Sequence, residues 1–451
     1  MKARLKLLCL SNGHGEDAIA VRILRQLQTH PHAPELAALP LVGEGKAYTE
    51  LPNIPIIGPV KQMPSGGFIY MDGREFLRDV NSGLLQLVQT QFKIVRAWAK
   101  DGGAILAVGD IVPLLFAWLS GAPYVFVGTA KSEYYLRDEN GPLPRSSWVQ
   151  RWEGWSGSVY LPWERWLMSR KRCQAVFPRD ALTTKILQRF RIPAYNLGNP
   201  MIDDLQPENA PDFYTGNWEL KEKQRSLIIT LLPGSRAPEA YANWELIVRA
   251  VTGLVAAFSD RNLVFLGAIA PNLSLEALSA TLESCGSWRN VKGGEQGERK
   301  SRGQGSILRL PVSTPKLPVS PPQIPISFTN RNASLILTQQ SFNDCLNQAD
   351  FAIAMAGTAT EQFVGLGKPA IAIPGNGPQF TPAFAEAQSR LLGPSLILVK
   401  HPAEVVGAIQ SLLGDPDRLQ SIATNGKRRM GSPGASRRIS NCLIEKLSAL
   451  D

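Results

Sequence analysis

Leu227-Ile228-Ile229-Thr230-Leu231-Leu232-Pro233-Gly234-Ser235-Arg236 is an apolar run that stops at a small-residue turn. Phe351-Ala352-Ile353-Ala354-Met355-Ala356-Gly357-Thr358-Ala359-Thr360-Glu361 repeats the pattern. Each reads as a buried strand that passes through a turn into a helix, the building unit of a parallel sheet. Turns of this kind expose backbone N–H groups at a helix N-terminus, which is a ready anion site. Ser235, Thr358 and Thr360 add hydroxyls, and Arg236 adds a planar cation suited to phosphate oxygens. Glu361 can accept from hydroxyls such as those of a ribose. Either turn alone is common in any α/β protein. The pair, in order and more than a hundred residues apart, points to a bound nucleoside diphosphate.

Further units extend outward from these two. Around them the pattern predicts strand 227–232, helix 239–257, strand 263–267, helix 273–283, strands 334–338 and 351–354, helix 360–366 and strand 369–373. The first half opens on a strand at 5–10, then the turn Ser11-Asn12-Gly13-His14-Gly15-Glu16, then a helix over 17–28 with Ile19, Ile23, Leu24 and Leu27 on one face. Strands at 36–42, 104–108 and 124–127 and helices at 82–99 and 111–120 follow. The expected class is α/β, with two doubly wound Rossmann-like domains. The 451-residue length is too great for one ordinary core. Gln206-Pro207-Glu208-Asn209-Ala210-Pro211 reads as the linker. Residues 286–330 lack apolar periodicity and read as a flexible surface insertion. The Gly-rich stretch 64–73 reads as a mobile loop over an interdomain cleft, or equally as a plain surface loop.

Pro233-Gly234-Ser235-Arg236 followed by Glu239, and Gly357-Thr358-Ala359-Thr360 followed by Glu361, resemble the motifs of lipid-A-disaccharide synthase. So do Asn12-Gly13-His14-Gly15-Glu16-Asp17, Leu197-Gly198-Asn199-Pro200-Met201-Ile202-Asp203 and Gly434-Ala435-Ser436-Arg437-Arg438-Ile439. The peptidoglycan N-acetylglucosaminyltransferase and the UDP-N-acetylglucosamine epimerase are weaker matches of the same fold type. The resemblance implies a GT-B glycosyltransferase with two parallel sheets facing across a cleft. It implies an acceptor-side domain at 1–205, a UDP-sugar-binding domain at 206–435, and a terminal helix at 436–451 that crosses back to the first domain. It also implies a UDP-sugar donor and a lipid or glycolipid acceptor. Two departures fall on the acceptor side. Asp110-Ile111-Val112-Pro113-Leu114-Leu115 keeps only the first Asp and a displaced Pro of the family's Asp-x-Pro-Asp-Phe-Asn run, and Asn199 stands where the family usually has His.

With 48 Lys and Arg against 38 Asp and Glu, the formal net charge is +10. That balance suits anionic membranes or phosphorylated substrates, and no nucleic-acid motif accompanies it. Five scattered cysteines and four histidines carry no metal-ligand spacing, so no metal site is expected; the GT-B resemblance likewise implies no metal and no cofactor beyond the UDP-sugar donor. The apolar start at 5–10 is too short for a signal peptide, and no stretch reaches the ~18 apolar residues of a spanning helix. The expected location is cytoplasmic, at most peripheral on the inner membrane face.

Five of the ten tryptophans fall at Trp148, Trp152, Trp155, Trp163 and Trp166, beside Arg165, Arg170, Lys171 and Arg172. Tryptophan favours the headgroup level of a bilayer and cations attract anionic lipid. The segment from Trp148 to Arg172 is therefore either an interfacial patch or a buried aromatic cluster.

Transfer from a UDP-sugar needs a stabilised leaving diphosphate and a base for the acceptor hydroxyl. Ser235, Arg236, Gly357, Thr358, Ala359 and Thr360 are assigned to the diphosphate and Glu361 to the ribose. The uracil is placed near 267–270 and 338–340. Asp110, at the carboxyl end of a parallel strand, is the expected base or else the cap of helix 111–120. His14, Glu16 and Asp17 are its rivals, His14 having the most suitable ordinary pKa. An epimerase of the same fold, or a non-catalytic nucleotide-binding scaffold, would use the same donor site.

Overall fold

The computed structural model describes residues 5–60, 84–144, 154–207, 225–285, 287–291 and 325–449. It divides into two compact units, Met1–Asp203 with Arg428–Asp451, and Asp204–Lys427. The sequence placed these divisions at 205/206 and 435/436.

The first unit is built from β1 (Lys6–Asn12), α1 (His14–Gln28), β2 (Glu35–Val42), α2 (Leu84–Lys100), β3 (Ala104–Gly109), α3 (Ile111–Ser120) and β4 (Tyr124–Gly128). A two-residue ribbon, β5 (Arg137–Asp138) and β6 (Gly141–Pro142), leads to α4 (Pro162–Met168), β7 (Cys173–Pro178) and α5 (Ala181–Arg189). The main sheet is parallel in the order β2-β1-β3-β4-β7. Its strands read as unbroken apolar runs because both faces are covered. Leu7 and Cys9 of β1 pack with Ile19, Ile23 and Leu27 of α1. Leu8 and Leu10, pointing the other way, pack with Val95 of α2 and Leu114 and Ala117 of α3.

α1 begins at His14, not at residue 17 as the apolar spacing implied. Gly13 takes φ 118°, a left-handed turn that lets the chain enter the helix at once. Glu16 and Asp17 then occupy the first turn, where the helix dipole favours negative charge.

The second unit carries β8 (Leu227–Leu232), α6 (Glu239–Ala257), β9 (Leu263–Ala268), α7 (Leu275–Ser284), β10 (Arg289–Asn290), β11 (Ile326–Asn330), β12 (Ala333–Thr338), α8 (Phe342–Gln348), β13 (Phe351–Ala354), α9 (Thr358–Gly365), β14 (Ala370–Ala372), α10 (Pro382–Leu392), β15 (Leu396–Leu398), α11 (Glu404–Leu413) and all but the last three residues of α12 (Pro416–Met430). The sheet order is β10-β11-β12-β9-β8-β13-β14-β15. Six strands are parallel, but β11 pairs antiparallel with β12 and with β10. The expected insertion at 286–330 is corrected at its ends. Residues 289–290 and 326–330 extend the sheet, while 292–324, like 64–73, lie outside the described residues.

The last helix, α13 (Ala435–Ser448), belongs to the first unit. Its Ile439, Leu443, Ile444 and Leu447 complete the apolar cluster around α1. Among the described residues, no helix is long and apolar enough to cross a membrane.

Candidate functional site

In an open parallel sheet, ligands collect at the carboxyl ends of the two strands where the winding reverses. In the first unit the chain goes from β1 to β2 on one side and then to β3 on the other, so the reversal lies between β1 and β3. In the second it goes from β8 to β9 and β12 on one side, then to β13 on the other, so the reversal lies between β8 and β13. The residues singled out in the sequence follow these four strands.

In the second unit the two turns are neighbours because β8 and β13 pair from Ile229–Phe351 to Leu232–Ala354. Asn243 of α6 is buried beneath both and donates Nδ2 to Pro233 O at 3.0 Å and to Met355 O at 3.5 Å. Gly234, at φ 98°, lies so close to the second turn that a Cβ there would meet Met355 O at 3.2 Å. Ser235, Arg236 and Thr358 are exposed. Arg236 Nε lies 3.2 Å from the Gln379 side-chain amide, whose oxygen accepts from the guanidinium once the amide is turned to face it. The loop holding Gln379 is anchored by Glu239 at the start of α6, whose carboxylate accepts from Phe380 N at 2.6 Å and from Gln379 N.

Gly357 is the N-cap residue of α9, and no side chain caps that end of the helix. From behind, Gln388 donates to Ala356 O and Gly357 O at 3.2 and 3.1 Å. Thr360 corrects the sequence reading. Its side chain is buried, and its hydroxyl donates to Ala356 O at 2.5 Å, so it presents no donor to a ligand. Ala359 is half-buried and Glu361 is buried in the first turn. The segments assigned to a base meet as well, with Ile269 N donating to Thr338 O at 2.8 Å and Gln339 bridging to Ala270 O and Leu273 O.

In the first unit Asp110 caps α3 and also contacts the β1 turn. Its Oδ1 accepts from Val112 N at 2.7 Å and its Oδ2 accepts from Asn12 Nδ2 at 2.8 Å. Burial pushes its carboxyl up to about 6, against the pull of those two hydrogen bonds. Glu16 stands alongside. Gly109 holds φ 132°, and a Cβ there would meet Glu16 Cγ at 3.1 Å. Burial is the main cause that lifts Glu16 to about 7, with the charges of Asp110 and Asp17 adding to it. Thr129 Oγ1 reaches Glu16 Oε1 at a long 3.4 Å. Asp17 is raised by burial to about 6 but is tied to Ser11 Oγ at 2.5 Å. Only the backbone of His14 is described, as the first residue of α1.

Sequence reasoning passed over several members of these sites. Lys131 pairs with the buried Glu164 at 2.6 Å, and both charges act on Asp110. The signal was present, since Gly128-Thr129-Ala130-Lys131 is another small-residue turn after a strand. Asn243, Gln379 and Gln388 carried none, because they reach their turns from other elements. Among the described residues, no cluster of His, Cys, Asp and Glu could hold a metal ion.

No protein-family model matches the chain, and no curated protein matches it. Solved structures do match over the full length. UDP-GlcNAc 2-epimerase from Neisseria meningitidis, bound to UDP-GlcNAc, is 14% identical with TM-score 0.51, covering 98% of this chain and 100% of its own. MurG of Acinetobacter baumannii is 14% identical with TM-score 0.52, covering 98% and 99%. CalG4, the calicheamicin glycosyltransferase, is 14% identical with TM-score 0.53, covering 99% of each. The chain has the GT-B fold of these proteins. At such identity the likeness extends to the fold alone.

Proposed function

We propose that the chain is a UDP-sugar-dependent hexosyltransferase acting on a lipid or glycolipid acceptor, related to lipid-A-disaccharide synthase. One observation carries the donor half of this reading. The turns after β8 and β13 are cross-linked by Asn243 and leave Ser235, Arg236, Thr358 and the N-terminus of α9 facing outward. A diphosphate would take the α9 N–H groups and the Arg236 guanidinium, which stabilise the departing charge. Glu361 would hold the ribose. The UDP-GlcNAc carried by the Neisseria epimerase supports a ligand of this class on this fold.

In this reading the first unit supplies the base. Glu16 is favoured over Asp110, because a carboxyl at about 7 is poised at neutral pH and Asp110 has both oxygens engaged. Glu16 takes the proton of the acceptor hydroxyl, the hydroxyl oxygen bonds to the anomeric carbon, and UDP leaves with the bonding pair. The motifs shared with lipid-A-disaccharide synthase support an acceptor borne on lipid, with the enzyme at the cytoplasmic membrane face.

The trio Glu16, Asp17 and Asp110 equally suits a UDP-sugar epimerase, which needs ionisable groups facing the sugar. One assay separates the two. UDP-hexoses are incubated with and without lipid extract, and free UDP and sugar stereoisomers are followed. A transferase releases UDP only with extract, and an epimerase forms a stereoisomer without it. Calorimetry with UDP tests the donor site itself. Arg236→Ala should lose a charge-assisted contact worth on the order of 1.5–3 kcal/mol, and unchanged affinity would remove Arg236 from the site.

A further inference from the structure

Nine large hydrophobic side chains are exposed among the described residues, and six of them gather on one face of the first unit: Leu115, Leu119, Trp155, Trp163, Trp166 and Phe190. Trp155, Trp163 and Trp166 are 59%, 52% and 44% exposed. Contacts join the elements that carry them. Trp118 meets Trp166 edge-on at 5.1 Å and joins α3 to α4. Arg165 lies 3.8 Å over the Phe190 ring and joins α4 to the end of α5, and it donates to Ser156 O beside Trp155. Trp148 and Trp152 lie outside the described residues.

α3 is the unusual element. Ile111-Val112-Pro113-Leu114-Leu115-Phe116-Ala117-Trp118-Leu119-Ser120 contains no charged residue. Leu114, Phe116 and Ala117 point into the core, while Leu115 and Leu119, one turn apart, point out of it. A helix at the surface of a soluble protein would carry polar residues there. A contiguous exposed apolar patch marks a contact surface, and its rim identifies what it contacts. From 154 to 192 the only acidic residues are Glu164 and Asp180, both buried and hydrogen-bonded. The same span holds eight cations, of which only Arg179 is buried. Arg170 stacks 4.3 Å over the Trp166 ring, placing a cation on the aromatic surface.

We propose that this face docks on an anionic lipid bilayer. The indole rings and the two leucines enter at the boundary of headgroups and acyl chains, and Arg170, Lys171 and Arg172 meet lipid phosphates. A protein partner would also cover the leucines and rings, but the excess of exposed cations from 154 to 192 matches an anionic surface. The face shares its helices with the acidic cluster. α3 starts from Asp110, and α4 carries the Glu164 whose charge acts on Asp110. Docking therefore brings a membrane-borne molecule to the end of the first unit where Glu16 stands.

Bilayer binding needs neither donor nor acceptor, so it is tested apart from the proposed activity. Full-length protein is floated with vesicles of phosphatidylcholine containing phosphatidylglycerol, and with phosphatidylcholine alone. Binding to the anionic vesicles should be about tenfold stronger or more, should fall with added salt, and should blue-shift tryptophan emission. Leu119→Ser with Trp163→Ser should reduce it by about tenfold. All these side chains are exposed, and the thermal melt of each variant checks folding. Arg170→Glu with Lys171→Glu should abolish the anionic preference while leaving the apolar face intact. Wild-type protein that stays unbound in the gradient would overturn the proposal. So would binding that none of these variants alters. A self-associated wild type that the Ser variant converts to monomer would assign the face to a second copy instead.

Discussion

Asn12 and Asp110, 98 residues apart in sequence, meet at 2.8 Å, amide Nδ2 to carboxylate Oδ2. Asn12 ends β1 and Asp110 follows β3, the strands on either side of the winding reversal. The carboxylate of Asp110 serves two partners at once. One oxygen starts α3 while the other is held by Asn12, and the fixed charge that results helps keep the neighbouring Glu16 protonated. Asn12 is 5% exposed, and its Oδ1 has no hydrogen-bond partner among the described residues. Leaving a buried acceptor unpaired costs free energy, which a hydroxyl donor from a bound sugar would offset.

The pKa of Asp110 should report on Asn12. The amide contact holds the carboxyl below where burial alone would put it. Removing the donor in Asn12→Ala should move the Asp110 titration upward from about 6. Carboxyl-carbon NMR titration measures this directly. An unmoved titration would mean that the contact carries no electrostatic weight.

Glu16 should make folding pH-dependent. An unfolded Glu ionises near 4.5, and this one holds its proton to about 7. Protonation therefore favours the folded state, and its stabilising effect is lost as pH rises from 4.5 through 7. Glu16→Gln, which never ionises, should be more stable than wild type at pH 8 by roughly 1–3 kcal/mol. The difference should vanish below pH 4.5. Urea unfolding at the two pH values measures it. Turnover should move the opposite way, rising in wild type through pH 7 as the base ionises and falling by roughly a hundredfold in Glu16→Gln.

Asn243 links the turns after β8 and β13. Asn243→Ala strips the donor from Pro233 O and Met355 O and should cost about 1–3 kcal/mol of stability. It should also weaken UDP binding although Asn243 is buried beneath the turns, because the backbone groups on both lose their fixed spacing. Calorimetry on the folded variant decides the point. Full UDP affinity would mean that strand pairing alone sets the turns.

Features written in local pattern were legible, and features made by distant partners were not. The apolar runs of β1, β3, β8 and β13 announced parallel strands because both faces of each sheet are covered. The turns after them announced the site because small residues must stand where backbone N–H groups are to be exposed. Thr360 looked like a ligand donor, but at the third position of α9 its hydroxyl turns back to Ala356 O. β11 escaped notice because Ile326-Ser327-Phe328-Thr329-Asn330 offers only two apolar residues. Its strand character comes from pairing with β12. Lys131 was marked by the small-residue turn after β4, but its pairing with Glu164 was hidden because the ion pair joins residues 33 apart from a loop and a helix.

Asp203 is the clearest case of a distant partner, and it gives the last prediction. Its carboxylate accepts from Gly434 N at 2.6 Å, Ala435 N at 3.0 Å and Ser436 N at 2.7 Å. These are the first N–H groups of α13, which have no intrahelical acceptor. Gly434 has no side chain to cap them, so Asp203 does so from 231 residues away. The negative charge also meets the positive end of the helix dipole. α13 supplies four residues to the core around α1, so a frayed start would be felt across the first unit. Asp203→Ala should therefore cost more than an ordinary cap, about 2–3 kcal/mol. Asp203→Asn should recover part of the loss, since the amide oxygen still accepts but carries no charge. Chemical unfolding followed by circular dichroism measures both, and hydrogen exchange at Ala435 and Ser436 localises the effect. Equal stability of all three proteins would show that α13 is held by its apolar face alone.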